Sequence, residues 1–462
     1  MSSLDEVFAD HGAGVRPLRL AITLLSHGWL QFDELIRATA APRRSIEELL
    51  GALDSDLERD GRAARIRPAA VARYARYSVI PVPDALETQM VAQSELLATL
   101  RKYVEAVPPA MAALDHVQAT PETVLRRALW LDAQYDLGTA RLLFLGDHDL
   151  TSLAVRALRP DADLTVVDLD DRVLEYLDTV SGRSITTLHA DLRIGLPAAV
   201  PGSMDLVFSD PPYTPEGMGL FASRGIQALR EPTKGRILLA YGYSPRHPAL
   251  GAQVQRELAT QGLTFEAILP DFNRFTGAQA IGSAADLYVC QPTAKAKKSR
   301  GGKGKIYTHG PQSVESGGTK PALLERLREV AGDTGDTVEM RTADWSVPTS
   351  AGKTVAIDLS ADPGPWLLRV LLATNAERLA VLVPNAHADL GNAESQQSLT
   401  RLVSGKYTLR FLRSTPDNKH AIVTADAVEA PAELLTKAHA RREDGHRLID
   451  LPRHRLAEVL GT

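Results

Sequence analysis

The chain has 462 residues, of which 44% are apolar and 24% charged, and its net charge is −5 at neutral pH. This length exceeds one ordinary hydrophobic core, so we expect two or three domains. No apolar run reaches the length that crosses a bilayer and the polar start 1–6 is unlike a secretory signal, so we expect a cytoplasmic protein with no membrane partner. Cys290 is the only cysteine, which excludes disulfides and thiolate metal sites within one chain. The low net charge argues against nucleic-acid binding by the molecule as a whole.

Residues 1–80 predict a winged helix-turn-helix domain. Apolar residues at helical spacing predict three short helices and a following strand at 18–25, 32–36, 46–53 and Ala63–Ile66. Eleven Arg outnumber eight Asp and Glu between Arg16 and Arg76, which is weak support for contact with DNA. A dimerisation module or a substrate-gating module is the alternative.

Residues 81–292 begin with a helical segment and then alternate strands with helices. Apolar runs predict strands at Arg141–Leu145, Asp163–Asp168, Ser184–His189, Met204–Ser209, Arg236–Ala240, Thr264–Leu269 and Asp286–Gln291. This alternation predicts an α/β fold with a parallel sheet and helices on both faces, in a Rossmann-like, methyltransferase-type domain.

The remaining residues predict a linker and a smaller domain. Residues 293–320 are rich in Lys, Gly and Ser, and six of their basic residues follow one another with no acid among them: Lys295, Lys297, Lys298, Arg300, Lys303 and Lys305. A solvated, mobile tether is the first interpretation, and contact with an anionic partner is the alternative. Residues 321–462 again alternate strands with helices and predict a C-terminal α/β unit of unknown role.

Four consecutive predicted strands each end in at least one carboxylate. The loop after the first strand reads Gly146-Asp147-His148-Asp149, with one glycine and two acids at the start of a helix. Nucleotide-binding folds normally place several glycines here, so that backbone N–H groups reach an anionic ligand. Two acids in that place repel anions and favour a cation. A helix cap by Asp149 would account for only one of them.

The second and third strands end in Asp168 and Asp191. An acid about 20 residues after the first turn hydrogen-bonds the ribose hydroxyls in nucleoside-binding α/β folds, so Asp168 is the candidate for that role. Asp191 is placed to accept a hydrogen bond from an adenine amino group. These two acids predict a nucleoside site.

The fourth strand leads into Asp210-Pro211-Pro212-Tyr213. Consecutive prolines make this turn stiff. The Asp210 carboxylate and nearby carbonyls can accept hydrogen bonds from an amine while the ring of Tyr213 packs against it. We expect the turn at the carboxyl end of a strand, where such sheets keep their active sites.

These strand ends predict a ligand with an adenosine end and a strongly cationic end. Decarboxylated S-adenosylmethionine fits them better than S-adenosylmethionine, since a donor without a carboxylate needs no glycine-rich cradle. Its sulfonium and ammonium groups favour acids, and a polyamine acceptor suits the same walls. We therefore expect this compound as co-substrate, with no metal and no other cofactor.

The segments 146–152 and 210–214 resemble the paired Gly-Asp-Asp-Asp and Asp-Pro-Pro-Tyr motifs of the branched-chain polyamine synthases, also called bis(aminopropyl)spermidine synthases, and the resemblance covers roughly residues 16–292. It implies aminopropyl transfer from decarboxylated S-adenosylmethionine to the central secondary amine of spermidine. It also implies that Asp149 holds or deprotonates the attacking amine, while Asp210 and Tyr213 line the acceptor and donor pockets. His148 stands in place of the middle acid, which lowers the negative charge available to a polycation.

The expected reaction is an in-line displacement by a neutral amine at the carbon next to sulfonium, with methylthioadenosine leaving. Some group must take the proton as the bond forms. Asp149 is the first candidate, with His148 or Asp210 as alternatives. Gly146, Asp147 and Pro211 complete the predicted substrate-binding residues.

Two other functions remain open. An amino-group methyltransferase acting on a nucleic-acid base or a small amine would share the Asp-Pro-Pro-Tyr chemistry, although the glycine-rich turn is missing. A non-catalytic, ligand-sensing DNA-binding regulator would bind duplex DNA and release no methylthioadenosine. A nucleic-acid partner and a homodimer therefore also remain open. A metal site at 147–149 and Asp168 is disfavoured, because the spacing does not dictate an oxygen-ligand geometry.

Overall fold

The computed structural model describes residues 3–80, 84–296, 304–332, 337–347, 349–350, 353–428 and 445–461. Within these ranges the chain forms a small N-terminal sheet, a seven-stranded main sheet, a five-stranded C-terminal sheet and one further strand pair. No helix in the described ranges combines the length and the apolar character that a membrane span requires.

The N-terminal region packs five short helices and three strands around one apolar core. Its elements are α1 (Leu4–His11), α2 (Arg16–His27), β1 (Leu30–Gln31), α3 (Phe32–Thr39), α4 (Arg43–Ala52), β2 (Leu57–Asp60), β3 (Ala63–Ile66) and α5 (Val71–Tyr74). Strand β3 pairs antiparallel with both β1 and β2. The core forms because apolar side chains recur at helical spacing, as with Leu18, Ile22 and Leu25 on α2, which are all buried. Helices α2 to α4 and strand β3 agree with the predicted elements, and α1 precedes them.

The main sheet and its helices occupy the middle of the chain. The elements are α6 (Glu87–Ala92), α7 (Ser94–Ala106), α8 (Pro121–Gln134), β4 (Arg141–Leu145), α9 (Thr151–Leu158), β5 (Asp163–Asp168), α10 (Asp171–Ser181), β6 (Thr186–His189), β7 (Leu206–Ser209), α11 (Pro215–Ala228), β8 (Arg236–Tyr241), α12 (Pro248–Thr260), β9 (Leu263–Arg274) and β10 (Ala284–Pro292). All seven predicted strands are present.

The strand order of the main sheet is β6-β5-β4-β7-β8-β10-β9. Strands β4 to β8 run parallel, and β10 runs antiparallel to both β8 and β9. The prediction of a wholly parallel sheet is therefore wrong at this edge, because β9 and β10 form a hairpin and hairpin strands must be antiparallel. The order reverses between β4 and β7, and such a reversal opens a crevice at the carboxyl ends of the strands.

The C-terminal segment, defined here as residues 321–461, contains the five-stranded sheet. Its elements are α13 (Pro321–Ala331), β11 (Val338–Arg341), β12 (Thr349–Ser350), β13 (Thr354–Asp358), α14 (Trp366–Ala373), β14 (Thr374–Asn375), β15 (Arg378–Pro384), α15 (Ala393–Val403), β16 (Tyr407–Leu412), β17 (His420–Ala427) and α16 (Arg453–Leu460). The sheet order is β11-β13-β15-β17-β16. Strands β11, β13 and β15 are parallel, while β17 is antiparallel to its two neighbours. This repeats the order and directions of β4-β7-β8-β10-β9 in the main sheet.

The C-terminal segment contacts α10 of the main sheet through buried charged groups. Arg369 on α14 is fully buried and donates to the Asp171 carboxylate at 2.9 Å. Arg455 on α16 donates to Asp178 at 2.6 Å. Pairs with one fully buried partner hold their geometry closely, since separating them would leave an uncompensated charge.

Residues 304–320 differ from the predicted linker. Ile306 and Tyr307 are buried, and the carbonyl of Ile306 accepts a hydrogen bond from the Thr214 hydroxyl at 2.6 Å. Thr308 donates its N–H and its hydroxyl to Asp115, at 2.5 and 2.7 Å. The prediction of a solvated tether is wrong here, because this apolar pair within a polar stretch packs against the main sheet. Four of the basic residues lie outside the described residues: Lys297, Lys298, Arg300 and Lys303.

Candidate active site

A cavity of about 1100 Å³ opens at the carboxyl ends of the main-sheet strands, where the strand order reverses. Every residue that the sequence analysis assigns to the site lines it: Gly146, Asp147, His148, Asp149, Asp168, Asp191, Asp210, Pro211 and Tyr213. Parallel strands end at the same edge of a sheet, which is why residues far apart in sequence meet here. Segments 42–44 and 306–309 supply further walls.

Asp149 and Asp210 are joined by one buried arginine. Arg127 on α8 is fully buried and donates from Nη1 to Asp149 at 2.7 Å and from Nη2 to Asp210 at 2.6 Å. Its Nε donates to the side chain of Asn273 at 2.7 Å. One positive charge therefore offsets part of the negative charge of the two carboxylates, and the site is less acidic than its sequence indicates.

The remaining contacts of the two acids differ. Oδ1 of Asp149 accepts the backbone N–H of Ala119 at 2.7 Å, so each oxygen of this carboxylate has a protein donor. Oδ1 of Asp210 accepts the hydroxyl of Tyr213 at 3.0 Å. The Asp210 side chain is 19% exposed and that of Asp149 is 8% exposed. Burial raises the pKa of Asp210 to about 6, against the lowering effect of Arg127. Asp210 is therefore the more accessible carboxylate and is a base near neutral pH.

Asp147, and not Asp149, caps helix α9. Its two oxygens accept the backbone N–H groups of Thr151 and Ser152 at 2.8 and 3.1 Å. The turn before the helix needs left-handed backbone at Gly146 (φ 75°) and at Leu150 (φ 65°), which turns Asp147 toward the helix N-terminus. The alternative of a helix cap by Asp149 is therefore wrong. Burial raises the pKa of Asp147 to about 8.

Asp168 lies at the end of β5 beside this turn. Its carboxylate accepts the backbone N–H groups of Asp147 at 3.0 Å and of Asp170 at 2.8 Å. Burial raises its pKa to about 6. Each oxygen has one protein donor, so lone pairs remain for a ligand hydroxyl from the cavity.

Asp191 has no acceptor position left for a ligand. Arg193 donates to it three times, from its backbone N–H at 2.9 Å, from Nε at 3.0 Å and from Nη2 at 2.6 Å. Nε1 of Trp366 adds a fourth hydrogen bond at 2.9 Å. Four donors fill the acceptor positions that a carboxylate offers. Asp191 lines the cavity, but the structure does not leave it free to accept from an adenine amino group as the sequence analysis expects.

His148 lies beside a second histidine in the cavity lining. Its Nε2 lies 3.1 Å from the carbonyl of Pro108, so that nitrogen carries the proton and donates. The ring stacks on His116 with centroids 4.6 Å apart. Burial lowers the pKa of His116 to about 4, so His116 is neutral at physiological pH. Among the described residues Nδ1 of His148 is buried without a hydrogen-bond partner, which leaves it a free proton-accepting lone pair.

The turn at 210–214 is fixed from several sides. The ring of Tyr213 contacts Tyr241 edge-on, with centroids 5.5 Å apart. Thr214 caps α11 by accepting the N–H of Gly217 at 3.0 Å, and a Cβ on that glycine would meet the carbonyl of Pro212 at 2.6 Å. The turn is therefore held in one conformation, with Asp210 and Tyr213 facing the cavity.

Sequence reasoning missed four residues of this site. Arg127, Tyr307 and Trp366 contact the predicted acids or line the cavity, and Asn273 accepts a hydrogen bond from Arg127. The one signal in the sequence was Arg127, a charged residue on the apolar face of α8 between Val124 and Ala128. Such a residue is rarely buried without an ionic partner.

The sheet order, the antiparallel β10 and the cavity at the switch point define a Rossmann-like, methyltransferase-type domain. The family model of the branched-chain polyamine synthase A C-terminal domain matches residues 95–299. This part of the chain is therefore similar to the C-terminal domain of the branched-chain polyamine synthases.

Relatives match less than half of the chain. An uncharacterized protein of Methanocaldococcus jannaschii is 33% identical over 218 residues, which are 46% of this chain and 54% of that protein. The N(4)-bis(aminopropyl)spermidine synthase of Thermococcus kodakarensis is 29% identical over 189 residues, 39% of this chain and 53% of the relative. The chain thus spans about half the length of these relatives. The C9 mutein of the Thermus thermophilus branched-chain polyamine synthase, a solved structure, has a TM-score of 0.47 at 20% identity and covers 67% of this chain and 96% of its own.

Proposed function

We propose that the protein is an aminopropyltransferase that moves aminopropyl from decarboxylated S-adenosylmethionine to an amine of a polyamine such as spermidine, releasing methylthioadenosine. The observation that carries the proposal is the convergence of both family motifs on one cavity, with Asp149 and Asp210 bridged by Arg127. Two relatives that match 39% of the chain are named N(4)-bis(aminopropyl)spermidine synthase.

The contacts of Asp147 support a donor without a carboxylate. The N–H groups of Thr151 and Ser152 at the start of α9 are the natural site for an anionic ligand group. Asp147 already accepts from both. A ligand carboxylate would have to displace this side chain, while a cationic donor would not. Asp168 then accepts from the ribose hydroxyls of the donor.

Asp210 accepts the proton from the attacking amine in this proposal. It is ionised at neutral pH, yet burial makes it a stronger base than an exposed aspartate. Asp149, which the sequence favours for the same role, is engaged by Ala119 and Arg127 and orients the arginine. Transfer is a single displacement: the amine nitrogen bonds to the aminopropyl carbon, the bond from that carbon to sulfur breaks, and the proton goes to Asp210. Positioning supplies most of the rate, because the sulfonium leaving group is already activated.

We further propose that the N-terminal region is a winged helix that gates the acceptor entrance. Arg43, Arg44 and Glu47 on α4 line the cavity. Arg246, which also lines it, forms a salt bridge with Glu48 and donates to the hydroxyl of Ser45 at 3.1 Å. Helix α4 is the third helix of the predicted helix-turn-helix, so this contact directs it to the cavity and favours gating over DNA binding.

Calorimetry tests the donor assignment. Decarboxylated S-adenosylmethionine and methylthioadenosine are expected to bind, and S-adenosylmethionine at least about tenfold more weakly, because its carboxylate meets Asp147. Tight binding of the carboxylated donor alone would support methyl transfer and overturn the proposal. The Asp147→Ala variant is the matched check, since removing this side chain frees the N–H groups of Thr151 and Ser152 and should narrow the difference between the affinities for the two donors.

A further inference from the structure

Arg193 is held between two aromatic rings that come from outside the family-matched region. Its guanidinium lies 4.7 Å from the ring centroid of Trp366 and 5.3 Å from that of Tyr307. Its Nη1 donates to the side chain of Gln312 at 2.7 Å. Trp366, Tyr307 and Gln312 all follow residue 299, where the match to the family model ends. Of these three, Tyr307 lines the cavity, so part of one cavity wall comes from residues that the matched domain does not contain.

The direction of Trp366 is set by the start of helix α14. Asp362 accepts the backbone N–H groups of Trp366 at 3.1 Å and of Leu367 at 2.9 Å, and its Oδ2 also contacts Nε2 of His387 at 3.0 Å. The Trp366 ring packs against the core of the main sheet and against the core of the C-terminal segment. From there its N–H reaches Asp191. Trp366 thus connects helix α14 to the Asp191 carboxylate, which lines the cavity.

Asp191 lines the cavity next to Leu192, and Tyr307 lines it as well. Asp168, the candidate for the ribose hydroxyls, lies at the neighbouring strand end. Because the acceptor positions of Asp191 are filled, a base bound beside this wall would be held by the shape of the wall and by the ring of Tyr307. The shape of this wall depends on the positions of the Arg193 and Asp191 side chains.

We propose that Trp366 is a positioning residue for the nucleoside end of the cavity, acting through Asp191 and Arg193. The C-terminal segment thereby sets the affinity for the donor while leaving the acceptor end unchanged. The inference rests on the proposed function for the identity of the nucleoside.

The test measures binding of methylthioadenosine by calorimetry in the full-length chain. Trp366→Phe keeps a ring over Arg193 and removes the hydrogen bond to Asp191, and we expect its Kd to rise about threefold. Trp366→Leu removes both contacts, and we expect a rise of about tenfold or more. The KM for the polyamine and kcat at saturating donor should stay within about twofold of wild type, which a loss of folded protein would not produce.

Arg455→Ala is the matched control, since Arg455 joins the same segment to Asp178 and does not line the cavity. It should lower the melting temperature and leave the Kd unchanged. A Trp366→Leu protein that melts earlier but binds methylthioadenosine as wild type does would overturn the inference and leave the proposed function standing. A wild-type protein that binds no methylthioadenosine would overturn both.

Discussion

Asp149 and Asp210 accept hydrogen bonds from the two terminal nitrogens of a single buried guanidinium, at 2.7 and 2.6 Å. Two carboxylates this close to each other would repel, and one of them would take up a proton. The positive charge of Arg127 offsets this repulsion. The two carboxylates in turn raise the pKa of Arg127 despite its burial. The arginine therefore supplies a positive charge to both acids in a cavity proposed to bind cations.

Arg127→Met should lower the free energy of unfolding by about 3–5 kcal/mol, because it leaves two buried carboxylates without a positively charged partner. The midpoint of urea unfolding measures the loss. Arg126→Ala is the control on the same helix: it breaks a partly exposed pair with Asp84 and should cost no more than about 1 kcal/mol. Similar losses in the two variants would show that the bridge adds nothing to stability.

Asp210→Asn should lower kcat by at least about 100-fold, because the amide cannot take the proton from the amine. Binding of methylthioadenosine should stay within about twofold of wild type, since Asp168 and not Asp210 is assigned to the nucleoside. Asp149→Asn should reduce kcat less and stability more, given its contacts with Arg127 and Ala119. Steady-state kinetics compares the two variants. A larger loss of kcat in Asp149→Asn than in Asp210→Asn would identify Asp149 as the base.

The pH dependence of kcat should show an acid limb near pH 6, set by Asp210. A base must be deprotonated to act, so the rate falls as pH drops through this pKa. The hydroxyl of Tyr213 donates to the carboxylate and stabilises its charged form. Tyr213→Phe removes that bond, so the pKa should rise and the acid limb should move up by about half a unit to one unit. Tyr176→Phe removes a hydroxyl bonded to the carbonyl of Tyr103 and outside the cavity lining, and should leave the limb in place. If the acid limb of Tyr213→Phe lies at the same pH as in the wild type, the limb reports a group other than Asp210.

Stability should decrease as pH falls below about 6.5, partly because of His189. Burial lowers its pKa from 6.5 to about 3. Below about pH 6.5, His189 is therefore protonated in the unfolded chain but neutral in the folded chain. His189→Gln should remove about 1 kcal/mol of the stability lost between pH 7.5 and pH 5.5. Unfolding in urea at the two pH values measures this difference. The exposed His27→Gln change is the control and should leave the pH dependence as it is. An identical pH dependence in His189→Gln would contradict the assignment.

Much of the main sheet could be predicted because each buried strand is a continuous apolar run, such as 142–145. Convergence of the strand-end acids also followed from the sequence, since parallel strands end at one edge. The direction of β10 did not, because apolar runs carry no information on whether neighbouring strands are parallel. The prediction of a solvated tether was wrong for residues 304–317. The stretch is mostly polar, and the single apolar pair at 306–307 was too short a signal to predict packing.

The contacts that decide the chemistry were beyond sequence reasoning. Whether Asp147 or Asp149 caps α9 depends on the left-handed conformation of Leu150, a residue type that rarely adopts it. The partners of Arg127 come from two different loops and from strand β9, and Trp366 reaches Asp191 across 175 positions of the chain. Local pattern cannot pair residues at such separations.

Product analysis by mass spectrometry tests the central claim most directly. The wild-type protein is incubated with decarboxylated S-adenosylmethionine and a panel of polyamines including spermidine, and in parallel with S-adenosylmethionine. We predict release of methylthioadenosine and a polyamine heavier by one or two aminopropyl groups, with the new bond at an amine nitrogen. Methylated product from S-adenosylmethionine, with no aminopropyl product from the decarboxylated donor, would contradict the account.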